Sequence, residues 1–111
     1  MGNLEALSYK NEKIQLLIKE IVNILKKHIN QPFKVYLFGS FARGEASKFS
    51  DIDLAIETIK PLSRTQFRKI KEEINSLRTL RKIDLIYLNT ASKKLKDVIK
   101  KEGVLIYEFR G

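Results

Sequence analysis

The chain has 111 residues, 43% of them hydrophobic, and carries a net charge of +9 from 22 basic and 13 acidic side chains. That length and apolar content suit one domain, residues 1–111, with a core of its own, and no apolar run approaches the ~20 residues of a membrane span. Cysteine is absent and histidine occurs once, which excludes disulfides, thiolate chemistry and a histidine-rich metal site.

In chain order, Asn3, Glu5, Lys10, Asn11, Glu12 and Lys13 break up any apolar leader, so a cytoplasmic protein is expected. From Asn11 to His28, Ile14, Leu17, Ile18, Ile21, Val22 and Leu25 recur at three and four residues, the stripe of an amphipathic helix. Gln31-Pro32 ends it, because proline cannot continue the ladder. Phe33–Phe38 reads as a strand, and residues 39–50 as a turn with a short helix opening near Ser40. Asp51–Glu57 is a second strand. A helix over Thr65–Leu77 follows, with Phe67, Ile70, Ile74 and Leu77 inward and Arg64, Glu72 and Glu73 toward water. Ile83–Leu88 is a third strand. Ser92 caps a helix running to Lys101, with Leu95, Val98 and Ile99 inward, and Gly103 closes it before a last strand, Val104–Tyr107. The expected fold class is α/β (α+β), a mixed sheet of about four strands with helices packed on it.

The chemistry concentrates in FGSFARGEASKFSDIDLAIE, residues 38–57. Within a strand, side chains alternate faces, so Asp51 and Asp53 would share one face, ~7 Å apart. Ile83-Asp84-Leu85 repeats the setting of Ile52-Asp53-Leu54; if the two strands are neighbours in register, Asp84 joins that face. Carboxylates so close cannot all ionise unless a cation neutralises them, and Mg²⁺ held by carboxylates and substrate phosphates is the usual answer. Gly39-Ser40 follows a strand directly. Glycine permits close backbone approach to a ligand, and helix-start amides with the Ser40 hydroxyl suit phosphate oxygens. Arg43, one turn on, can add a charge-assisted contact, and Gly44 permits the chain reversal.

GSFARGEASKFSDID resembles the signature of the polymerase-β-like nucleotidyltransferases: Gly-Ser, ten residues, Asp-x-Asp, then a third acid on a later strand. The short chain resembles the minimal members (MNT proteins), including antitoxins paired with HEPN proteins. The resemblance implies that Gly39 and Ser40 bind the β- and γ-phosphates of an NTP, while Asp51 and Asp53 ligate two Mg²⁺ ions. It assigns Asp84 to the catalytic metal and to deprotonation of the acceptor hydroxyl, and leaves Arg43 as a motif residue at the nucleotide. The implied reaction is transfer of AMP from ATP to a hydroxyl of a protein acceptor, with an all-helical HEPN or substrate-binding partner and possible homo- or hetero-oligomers.

Plainer readings stand beside these. Ser40 could simply cap a helix, Asp51 could end a strand, and Asp53 and Asp84 could pair with a buried Arg43. Glu57 shares the acids' face but sits further along, as a rim residue. His28 suits the end of its helix as a structural or surface group, and Tyr36, Tyr87 and Tyr107 suit the core or its border. Lys93, Lys94, Lys96, Lys100 and Lys101 form a solvated face without interleaved aromatics, so nucleic-acid binding is not expected. Two further functions compete: transfer to a small-molecule hydroxyl, and non-catalytic masking of a partner.

Overall fold

A computed structural model describes residues 12–47 and 50–111. The expected helix start at Asn11, the leader positions before Glu12 and residues 48–49 of the expected 39–50 turn lie outside them. The first helix, α1, spans Glu12–His28 and buries the predicted stripe together with Ile24. Lys26, Lys27 and His28 occupy its last turn, where cations meet the negative end of the helix dipole.

Strand β1 covers Phe33–Phe38, as its aromatic and β-branched content predicts. A single helical turn, α2, covers Gly39–Ala42 and opens at Gly39, one residue earlier than expected. Strand β2 is Ile52–Thr58, shifted by one residue from the expected span. Its ladder begins where the Ile52 N–H donates to the Lys82 carbonyl at 2.9 Å, which leaves Asp51 just outside the strand. Helix α3 is Arg64–Asn75; the Ser63 hydroxyl accepts from the Gln66 N–H at 3.0 Å and starts it one residue early. It also stops short of Leu77. Strand β3 is Ile83–Tyr87, and Leu88 opens a 3₁₀ turn to Thr90 instead of extending the strand. Helix α4, Lys93–Glu102, is capped by Ser92 as predicted and closed at Gly103. Strand β4, Val104–Phe109, runs two residues longer than expected because it pairs along β1.

The sheet order is β3-β2-β1-β4, with β1 antiparallel to β2 and β4, and β2 parallel to β3. This is the mixed four-stranded α+β architecture that the sequence predicts. On one face Val35, Leu37, Ile52, Leu54 and Ile56 pack fully buried against α1 and α3. On the other, Ala55, Leu88 and Ile99 form a smaller cluster with Tyr36, Phe38, Ile86 and Leu95 under α4. Val98, expected inward, is 41% exposed: α4 meets the sheet along the Leu95–Ile99 line, and Val98 falls on its shoulder. Among the described residues no helix is long and apolar enough to cross a membrane.

Candidate functional site

Three chain segments meet at one end of the sheet, where β1 leaves and β2 and β3 enter. In the β2–β3 ladder Asp53 stands opposite Asp84, and in the β1–β2 ladder Asp53 stands opposite Phe38. The repeated Ile-Asp-Leu tripeptide is therefore in register. Both carboxylates lie on the sheet face that carries Ala55, one same-face step beyond it, and both are half-buried.

Gly39 brings the third segment in. Its φ is +75°, and a Cβ there would lie 2.2 Å from Asp53 Oδ2. Only glycine accepts both the left-handed backbone and that proximity. The sequence suggests that Gly39 makes room for a ligand; the structure gives that room to the Asp53 carboxylate. Gly44, also at positive φ (72°), turns the chain back toward β2, as expected.

The electrostatics follow from this crowding. Asp53 titrates above the ordinary carboxylate range: burial is the largest cause, followed by the charges of Asp84 and Asp51 and by a hydrogen bond shared with Asp84. Arg43 pulls the other way through its charge. Asp51 acts on Asp53 through charge alone, and among the described residues no trio of acids is already gathered as a ligand set. The full three-carboxylate convergence expected from strand parity is thus reduced to a touching pair with Asp51 alongside. The physical reason is that Asp51 precedes the ladder and escapes its alternation.

The alternative roles fare unevenly. Ser40 lies inside α2, whose N-cap is Phe38 with no side-chain cap, so Ser40 is not a capping serine. Arg43 is exposed and its Nε donates to Glu45 Oε1 at 2.9 Å, so it is not a buried partner for Asp53 or Asp84. Glu57 lies at the far end of the acids' face, as expected. It binds Lys100 Nζ at 3.0 and 3.1 Å, and the Tyr36 hydroxyl stands 3.5 Å away. Lys100 therefore leaves the solvated lysine face, and the Glu57 bond raises its pKa. Glu73, expected to face water, instead ties α3 to α1 by meeting Lys27 and, at 2.8 Å, His28 Nε2. Tyr87 is buried and Tyr36 and Tyr107 are half-buried.

A cleft of 530 Å³ opens beside the acid pair, lined by Phe38, Asp53 and Asp84 and rimmed by Lys71, Arg81 and Lys82. Arg81 is absent from the sequence-derived site. Its guanidinium lies 5.4 Å from the centre of the Phe41 ring, and Nη1 donates to the Ser50 carbonyl at 2.7 Å. No periodicity or motif spacing marks it, because its partners lie 31 and 40 residues away in sequence.

A glycine-led turn against paired in-register acids is an arrangement that known families can be compared with directly. The profile of the family described as "Polymerase beta, Nucleotidyltransferase" matches residues 19–110, which include every element of the site. The chain belongs to this family. This nucleotidyltransferase is 30% identical over 108 residues to the Haemophilus influenzae protein described as "Probable protein adenylyltransferase MntA", covering 97% of this chain and 90% of that one. It is 29% identical over 97 residues to the protein adenylyltransferase MntA of Thermococcus cleftensis, covering 82% and 97%. Among solved structures, a toxin-antitoxin complex with AMP-PNP superposes with a TM-score of 0.68 at 26% identity, over 80% of this chain and 71% of that one. The complex of a tri-AMPylated Shewanella oneidensis HEPN toxin with its MNT antitoxin superposes at 0.66 and 25% identity, over 84% and 71%.

Proposed function

We propose that this nucleotidyltransferase transfers AMP from ATP to a hydroxyl of a protein acceptor, a HEPN-type toxin for which it serves as antitoxin. The observation that carries the reading is the Asp53–Asp84 pair, in register on parallel strands and pressed against the Gly39 backbone. The names of its relatives and the AMPylated HEPN toxin in a similar complex support the acceptor class.

The donor set fits hard divalent cations: two carboxylates abut, one of them has a raised pKa, and a third stands near, so a positive charge is what the site lacks. Asp51, Asp53 and Asp84 would hold two Mg²⁺ ions, which when bound neutralise a triphosphate and the charge that develops on it during transfer. Ser40 and the first amides of α2 would hold the terminal phosphates, with Arg43 adding a cation once it leaves Glu45. Asp84 would accept the proton of the acceptor hydroxyl. The acceptor oxygen then bonds to the α-phosphorus, the bond to the bridging oxygen breaks, and pyrophosphate leaves. Raising the local concentration of nucleotide is a role for the +9 charge, and the cytoplasm is where we place the reaction.

The test is incubation of the protein and its co-purifying partner with labelled ATP and Mg²⁺, followed by intact mass. A partner mass increased by one or more AMP groups is expected, with no increment from Asp53→Ala or Asp84→Ala. Label transfer that survives both substitutions would refute the assignment.

A further inference from the structure

Arg81 touches both motif segments from outside the motif. It lies in the approach to β3, three residues before Asp84. Its Nη1 donates to the carbonyls of Ser50 (2.7 Å) and Ser47 (3.4 Å), the stretch that leads into Asp51. Its guanidinium also sits over Phe41, a buried residue of α2 next to Ser40. Hydrogen bonds from a cation to carbonyls are about twice as strong as neutral ones, and a planar guanidinium can stack on a ring while it donates. Within this stretch the Ser50 N–H donates to the Ser47 carbonyl at 3.1 Å, the Ser47 N–H to Ser50 Oγ at 2.9 Å, and the Glu45 N–H to the Ser40 carbonyl at 2.9 Å. Those bonds are local, whereas the Arg81 bonds reach across 31 and 34 residues of sequence. Asp51 lies outside the β ladder, and the Arg81 bonds tie the residues before it to the approach to β3.

We propose that Arg81 is a positioning residue, a strap that fixes the approach to Asp51 against α2 and so sets the spacing between the acids and the phosphate-side turn. Its catalytic consequence rests on the site assignment above; its structural part does not.

The experiment compares Arg81→Met, which keeps the stem over Phe41 but removes the donors, with Arg81→Lys, which keeps a cation. Arg78→Met serves as an exposed-arginine control. In native-state hydrogen exchange, the Ser47 and Ser50 amides should exchange at least tenfold faster in Arg81→Met and by an intermediate factor in Arg81→Lys. Leu54 and Leu85 in the sheet should stay within twofold, and Arg78→Met should match wild type. AMP transfer by Arg81→Met should fall at least tenfold at limiting Mg²⁺ and recover to within about threefold at saturating Mg²⁺. Unchanged exchange at Ser47 and Ser50 in both Arg81 variants overturns the strap, as does acceleration spread evenly over the sheet. An equal loss of transfer at both Mg²⁺ levels overturns the positioning role. Should Arg81→Met fail to fold, Arg81→Lys carries the same comparisons. An error in the site assignment shows itself separately, as transfer that survives Asp53→Ala while the exchange result stands.

Discussion

Replacing Gly39 by alanine separates the two demands made on that residue. The positive φ disfavours any L side chain by roughly 1–2 kcal/mol, partly offset because alanine stiffens the unfolded chain by about 0.4–1 kcal/mol. The added Cβ meets Asp53 Oδ2 at 2.2 Å and Asp53 Cγ at 3.1 Å, so the carboxylate must retreat by close to 1 Å. That atom ends a flexible side chain, so its retreat is inexpensive for the fold. It is expensive for catalysis, because the retreat shifts Asp53 relative to Asp84, and a misplacement of ~1 Å in a reacting constellation costs on the order of 100-fold. Gly39→Ala should therefore lose about 1 kcal/mol, or about 4 °C in Tm, while AMP transfer falls by about 100-fold. Urea unfolding and labelled transfer measure the two separately. In an Asp53→Ala background the stability cost of Gly39→Ala should be nearly unchanged, because backbone strain is all that remains. Transfer kept within threefold would refute the contact argument; a loss above about 3 kcal/mol would show that the clash is not relieved by the side chain.

Without metal, Asp53→Asn should stabilise the protein. The folded-state pKa of Asp53 is raised, so its contribution to stability is fully present below the unfolded-state carboxylate value and is lost as pH rises through the folded-state value. Asparagine never ionises, so the gain should be absent in acid and reach about 0.5–1 kcal/mol at pH 7, the size left once solvent screening of a half-exposed group is allowed for. Thermal melts in EDTA across pH 3–8 measure it, and a variant less stable than wild type at pH 7 would contradict the crowding. Tyr87→Phe tests the opposite end of β2. The Tyr87 hydroxyl accepts from the Leu62 N–H at 2.9 Å and lies 2.8 Å from Thr58 Oγ1, so its removal strands a buried donor. Chemical denaturation should show a loss of about 1–3 kcal/mol with transfer unchanged in folded enzyme; a loss below 0.5 kcal/mol would show that this network is not structural.

What could be read in advance follows the range of the forces involved. Helix stripes, the strands and the Ser92 cap depend largely on nearby residues, and Val98 apart they stand within two residues of where periodicity and side-chain type put them. The Asp53–Asp84 pairing spans 31 residues, yet it was legible because both strands repeat the same tripeptide and parallel pairing aligns like with like. Asp51 was misplaced on the strand because alternation predicts a side chain's face only inside a ladder, and nothing local reveals that the ladder begins at Ile52. Lys100–Glu57, His28–Glu73 and Arg81 with Ser50 escaped for a related reason. Each joins polar residues that local patterning assigns to solvent, and each forms only after the sheet and helices bring distant segments together.

This division bears on how such a small domain holds a reactive site. Asp53 and Asp84 are fixed by backbone pairing between strands whose flanking Ile52, Leu54 and Leu85 are buried, so folding the core forces two like charges together. Asp51 and Arg43 lie outside the strands and Ser40 lies in the single turn α2, so none of the three is held by the sheet's ladder. The core therefore imposes the repulsion, while loops supply the groups whose positions can change when ligands arrive. A cation and a triphosphate would relieve the imposed repulsion, so ligand binding and stability should be coupled through Asp53. Magnesium with a non-hydrolysable ATP analogue should accordingly raise the Tm of wild type well above that of Asp53→Asn, reversing their order in EDTA.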